Sequence, residues 1–307
     1  MKFRTEVNTV PKPDFISYKS DMLAIGSCFA DEIGMRLQAL KFPIDVNPFG
    51  VIFNPVSLAE LLTNALESRF DETLFVSRDG HWFHHGYHSK VNAPTMEALS
   101  QKITGLNANV HKSLNETNVL LLTFGSAWVY KHNPTNSIVS NCHKVSQDQF
   151  SKKLLDFEVL KGVYFHLFET LFKHNPKLNI LLTISPVRHI KDGVYENNVS
   201  KSVLHLLTHF LVSHFKQVHY FPSYELIVDD LRDYRFYKED LIHPTNQAVE
   251  YVFEKFSATY FSDKTKEAVR LQQAILKLKA HKPLGLIDSN EEKIRVLENQ
   301  FELLKQN

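Results

Sequence analysis

Met22-Leu23-Ala24-Ile25-Gly26-Ser27-Cys28-Phe29-Ala30-Asp31-Glu32-Ile33 decides how this chain folds. A short apolar run stops at Gly26, and Phe29, Ile33, Leu37 and Leu40 then recur at helical spacing, so the stretch predicts a buried strand, a tight turn and a helix. Gly26 permits a turn that a side chain would obstruct. Ser27 stands at the join, where the first helical turn offers unpaired N–H groups and the positive end of a dipole. Phe42–Asn47 reads as a second strand, which makes the opening β–α–β. Far downstream, Asp240-Leu241-Ile242-His243-Pro244 sets a carboxylate three residues before an imidazole. Asp240 can reach one ring nitrogen of His243 and leave the other to take a proton from a hydroxyl. Ser27, His243 and Asp240 together read as the nucleophile, base and acid that ester hydrolysis needs.

Working outward, Ser57 to about Ser68 predicts a helix with Leu58, Leu61, Leu62 and Leu66 on one face. Phe75 to Val91 is rich in aromatic and histidine residues around Asp79-Gly80, which predicts a hairpin inserted at about 73–92. A helix from about Thr95 to Leu114 follows. Val119–Phe124 and Asn179–Ile184 are continuous apolar runs of the kind buried on both faces of a parallel sheet. Trp128–Tyr130 and Ser137–Val139 read as an excursion at that sheet's carboxyl edge, and 147–173 as a segment holding a helix through Leu160–Phe172. A helix at 196–216, a last strand at Val218–Phe221 and a closing helix at 246–261 complete the pattern. These repeats predict a doubly wound sheet with its crevice at the strand ends. Residues 1–262 are read as one α/β domain and 263–307 as a C-terminal helical hairpin, Lys264–Ala280 and Asn290–Gln306 joined by Pro283-Leu284-Gly285. The plainer reading packs that hairpin on the parent domain; the other is a homo-oligomer formed through it.

Of 307 residues, 43% are hydrophobic and 22% charged, which argues against disorder. A net charge of +1 gives no global field for nucleic acid. Cys28 and Cys142 form no disulfide framework and no zinc-type spacing, so a reducing compartment fits. Met1–Val7 lacks an apolar leader core, and no run of about 18 apolar residues occurs. The expectation is therefore a cytoplasmic chain with no membrane segment. His81, His84, His85 and His88 cluster without an acidic or cysteine ligand, so no metal is expected there. Neither a GxGxxG nor a GxxxxGK[ST] loop is present, and no cofactor is expected.

Gly26-Ser27-Cys28-Phe29-Ala30 spells the signature of the GSCFA family, and the chain resembles that family over about residues 20–260. Asn47-Pro48-Phe49-Gly50, Ser185-Pro186-Val187-Arg188-His189 and Asp240-Leu241-Ile242-His243-Pro244 follow in the family's order. The family is similar to the SGNH/GDSL hydrolases. That resemblance implies a flavodoxin-like three-layer α/β/α sandwich with a parallel central sheet, and hydrolysis of an acyl or acetyl ester, with an acetylated saccharide the preferred substrate class. It implies Ser27 as nucleophile, His243 as general base and Asp240 as its orienting carboxylate. The N–H groups of Ser27 and Gly50 would hold the oxyanion. The third block departs: Gly125-Ser126-Ala127-Trp128 has alanine where the pattern has asparagine. Either Asn141 donates from a displaced loop, the reading preferred here, or that donor is missing. Arg188 and His189 follow a strand end and are read as contacts for an anionic or hydroxyl-bearing substrate group, with Ser185 and Trp128 lining the pocket. Cys28 is a rival nucleophile, and His143 a rival base with no nearby carboxylate in sequence. Acyl transfer by the same residues, or a binding module without turnover, are the other functions this pattern allows.

Overall fold

The computed structural model describes residues 4–280 and 290–306. The Pro283-Leu284-Gly285 join lies outside them. Strand β1 (Met22–Gly26) runs into α1 (Cys28–Ala39) and β2 (Ile44–Val46), followed by α2 (Pro55–Glu67), β3 (Phe75–Arg78), β4 (His81–His84) and α3 (Met96–Glu116). Next come β5 (Val119–Phe124), then β6 (Trp128–His132), β7 (Ser137–Val139) and β8 (Phe150–Leu154). After these, α4 (Phe157–His174), β9 (Asn179–Ile184), α5 (Val194–His214), β10 (Val218–Tyr220), the short turn α6 (Ser223–Glu225), α7 (Asn246–Tyr260), α8 (Asp263–Ala280) and α9 (Glu291–Gln306) complete the chain.

The central sheet is parallel, in the order β10-β9-β5-β1-β2. Its continuous apolar runs have a simple cause, because alternate side chains enter two different cores. Leu23, Ile25, Leu120, Leu122, Ile180 and Leu182 join the cluster built with α2, α3, α4 and α5. Met22, Ala24, Val119, Leu121 and Leu181 join the one built with α1, α7 and α8. The result is a flavodoxin-like three-layer α/β/α sandwich. Phe301 of α9 is fully buried, its ring edge-on to Tyr18 at 5.2 Å, so the C-terminal helices pack on the α1 side of the sheet. No helix among the described residues is long and apolar enough to cross a membrane.

Two small sheets stand outside the main one. In β3–β4, Asp79 and Gly80 both take positive φ (49° and 75°), the turn geometry that suits a two-residue hairpin. The antiparallel sheet β7-β6-β8 follows β5 and supplies a wall of the crevice described below. Its third strand, β8, is absent from the sequence reading. Residues 150–154 alternate half-buried and exposed, but the exposed positions and two lysines mask the period.

The turn after β1 depends on its glycine. Gly26 has φ +145°, and a β-carbon there would lie 2.3 Å from the Thr123 carbonyl oxygen. Gly26→Ala is expected to destabilise the fold by about 3 kcal/mol or more, because the clash is with sheet backbone that cannot rotate away. Chemical denaturation should show it as a large drop in midpoint with an unchanged slope.

Candidate active site

The order of the sheet reverses at β1, since β2 lies on one side of it and β5 on the other, and a crevice opens at the carboxyl end of such a switch. Ser27 occupies that end. It is the N-cap of α1 in extended backbone (φ −72°, ψ 176°), and its Oγ accepts the Phe29 N–H at 3.3 Å. A hydroxyl has a second lone pair and one proton to give, so capping leaves the hydroxyl hydrogen free for another partner. The turn is held from beneath by Asn47, whose Oδ1 accepts the Gly26 N–H at 2.8 Å and whose Nδ2 donates to Asp31 at 2.5 Å.

His243 arrives on a loop closed at its neck. Lys238 N–H donates to the His243 carbonyl (2.8 Å), and Thr245 N–H to that of Phe236 (2.8 Å). Asp240 Oδ1 accepts the N–H groups of Ile242 (2.9 Å) and His243 (3.0 Å), while its Oδ2 lies 2.7 Å from His243 Nδ1. The His243 backbone bond, then the imidazole bond, hold the Asp240 carboxyl well below the usual carboxylate range. With Nδ1–H given to Asp240, Nε2 is left as the acceptor. Thr245 caps α7, and Pro244 bridges to Tyr237.

Ser27 and His243 line one cavity of about 540 Å³, although they come from opposite ends of the chain. Asn141, Ser185, Arg188, His189 and Trp128 line it too. So do Phe53, Asn54, Ser126 and Lys152, which the sequence reading did not select. Lys152 is bonded to Asp192 and lies over the Trp128 ring at 5.1 Å.

The expected oxyanion donors need correction. Gly50 lines a different cavity, and its N–H donates to Asn47 O at 2.7 Å. Its φ of +80° and the His88 side chain packed where a β-carbon would stand explain why glycine is there. The Ser27 N–H donates to Thr123 O at 3.2 Å, as a continuation of the β1–β5 ladder. Asn54 takes the place of Gly50 on the wall, but its carboxamide is engaged with Ser57. Ala127, at the third-block position, is buried and offers no side-chain donor; its N–H goes to Ser200 Oγ at 2.7 Å. Asn141 Oδ1 accepts the His143 N–H at 2.8 Å, which orients the amide and leaves Nδ2 free of partners among the described residues. The N–H of Cys28, first in α1, is one that a helix leaves without an internal acceptor.

The rivals fare poorly. Burial and the nearby Asp31 carboxylate push the Cys28 thiol pKa up, which disfavours a nucleophilic thiolate. His143 Nε2 is 2.9 Å from the His84 carbonyl, a bond in which the ring donates, and its Nδ1 is buried without a partner. Burial pulls His143 down to about 4. His84 and His85 likewise donate to backbone carbonyls, those of Asp71 and Asn141. No group of three or more potential metal ligands occurs among the described residues.

One helix face organises the strand ends around the cavity. On α5, Asn197 accepts the His189 N–H (2.9 Å), Ser200 accepts that of Ala127, and the Glu196 carbonyl accepts Trp128 Nε1–H (3.1 Å). Lys201 is only 2% exposed and donates to the carbonyls of Gly125 and Ser185, both at 2.7 Å. Burial alone pulls it down to about 7. His189 is held at about 4, first by burial and then by Lys201 and His243, so at neutral pH its ring can both give and accept a hydrogen bond.

The fold is thus a parallel α/β sandwich with a serine at its switch point and an aspartate-bonded histidine on the same cavity wall. The GSCFA family model matches residues 21–256, and the chain belongs to that family. Among solved structures, an acetyl xylan esterase from the rumen bacterium Butyrivibrio proteoclasticus is similar at 11% identity and a TM-score of 0.33. The match covers 89% of this chain and 66% of the esterase, so the chain spans just under two thirds of that protein's length. No curated protein matches.

Proposed function

We propose that this chain is a serine esterase of the SGNH/GDSL type that hydrolyses an acyl ester, in first place an acetyl ester on a saccharide. The observation that carries this reading is the convergence on one cavity of Ser27 and of His243, whose ring is held from behind by Asp240. His243 Nε2 takes the Ser27 proton as Oγ attacks the ester carbonyl. The tetrahedral oxyanion is met by Asn141 Nδ2 and the Cys28 N–H. His243 then protonates the leaving alcohol, and water, activated by the same imidazole, releases the acid and restores Ser27. A sugar hydroxyl in place of that water would give acyl transfer.

A second reading, a binding module that keeps the cavity without turnover, is favoured by one observation. The N–H groups of Ser27 and Gly50 are both committed to backbone acceptors. A serine-directed fluorophosphonate followed by intact-mass analysis separates the two, together with acetate release from acetylated saccharides. Labelling at Ser27 with acetate release supports the esterase, whereas no labelling supports the module. Asn141→Ala is expected to lower kcat about 10²-fold with little change in KM, because its amide acts on charge that develops only in the transition state. Steady-state kinetics on a model acetate ester checks this.

A further inference from the structure

The cavity carries more positive charge than its own carboxylates balance. Arg188, Lys191 and Lys152 line it, and against them stands one acidic lining residue, Asp192, which is bonded to Lys152. Asp240 is engaged with His243 and is not on the wall. Arg188 and Lys191 make no ion pair among the described residues. Arg188 is half-buried, with its guanidinium carbon 5.3 Å from the centre of the Tyr237 ring. Contact with that ring restrains the side chain at the cavity, and the planar N–H fork of an arginine suits a planar anion bound in two-point fashion. The neighbouring His189 is neutral at physiological pH, so it adds hydrogen bonds and no competing charge. Trp128, Val129, Val139, Val187 and Ile242 give the remaining wall an apolar character that suits a carbon skeleton.

We propose that the ester this cavity takes carries a carboxylate, which pairs with Arg188, assisted by Lys191, while the ester carbonyl reaches Ser27. The proposal rests on the esterase reading for the fate of the ester, and on the charge of the wall alone for the carboxylate. That carboxylate can belong to the acyl part, as in a hemisuccinate, or to the alcohol part, as in an acetylated uronic acid. Both present the same group to Arg188.

Two matched pairs of probes separate these sources. In the acyl arm, 4-methylumbelliferyl hemisuccinate is compared with its neutral methyl succinate counterpart; in the alcohol arm, 3-acetoxybenzoate is compared with 3-acetoxybenzamide. The expected result is a preference of about tenfold or more in kcat/KM for the charged member of one pair, shrinking as salt is raised. Arg188→Gln should bring that ratio close to one, Arg188→Lys should retain part of it, and Lys191→Gln should reduce it less. A ratio near one in the unmodified protein, or one unchanged in Arg188→Gln, overturns the proposal and leaves the esterase reading in place. Binding of the unreactive 3-acetamidobenzoate and of methylumbelliferone-free succinate monoamide, against their neutral amides, is measured by calorimetry on the unmodified protein and on Ser27→Ala. It should show the same Arg188-dependent preference in one arm. If fluorophosphonate fails to label Ser27 yet this binding preference holds, the esterase reading falls and the carboxylate site stands.

Discussion

Ser27→Ala is expected to lower kcat/KM for acetate release by about 10⁴-fold or more, with the fold retained. The proposed nucleophile disappears, and neither the rival nucleophile Cys28 nor the rival base His143 offers another route. Cys28 has its thiol pushed toward the protonated form, and His143 is tied to the His84 carbonyl. The structural loss is small by comparison. Ser27 caps α1 through one bond of 3.3 Å, and losing such a cap costs about 1 kcal/mol. Activity and stability therefore separate, and near-native melting with abolished turnover is the signature to look for. His243→Ala should be of similar severity, and the double variant no worse than either single one, because the two act as a unit. Asp240→Asn should cost less, about 10²-fold. The Asp240 side chain is 45% exposed and that of His243 42%, so water can take up part of the orienting role. Turnover by Ser27→Ala comparable to that of the unmodified protein would remove the nucleophile from the mechanism.

Acidification is the second large effect expected. Burial holds both His84 and His143 at about 4 in the folded state, against an ordinary value near 6.5 in the unfolded chain. His84 is 1% exposed; it donates from Nε2 to Asp71 O and accepts the Gly86 N–H at Nδ1, so a second ring proton would meet a donor. His143 has its Nδ1 in a buried place with nothing to receive a proton's charge, and its ring lies 5.5 Å from that of His85. A group whose folded pKa is depressed contributes stability that is complete above the unfolded value and is lost as pH falls toward the folded one. Here the window runs from about pH 6.5 down to about 4, and each histidine accounts for up to about 3 kcal/mol across it. Denaturation midpoints measured between pH 7.5 and 4 should fall steeply. His84→Gln, which can still donate to Asp71 O, should reduce the slope by about one proton. A flat profile through that window would show that these rings are not buried neutral.

Both effects draw on features of unequal legibility. The β1 turn, the two apolar strands Val119–Phe124 and Asn179–Ile184, and the Asp79-Gly80 hairpin are written in neighbouring residues, because strand burial and turn geometry are local demands. The link between Asp240 and His243 was legible for the same reason, spanning three residues. β8 was not, since a half-exposed strand with Lys152 and Lys153 carries too little periodic contrast. Lys201 gave no signal either. A lysine within a helical pattern reads as surface, and only the carbonyls of Gly125 and Ser185, far away in the chain, account for its burial.

The sequence by itself determined the parallel sandwich, the serine at its first strand end and the Asp240–His243 pair just ahead of α7, through periodicities and spacings that act over a few residues. Tertiary structure alone decided which N–H groups remain free. It spent those of Ser27 and Gly50 on Thr123 and Asn47 and brought Asn141 to the cavity from a displaced loop. A backbone donor is available to a ligand only if no distant carbonyl has already claimed it, and that competition is settled when the chain folds.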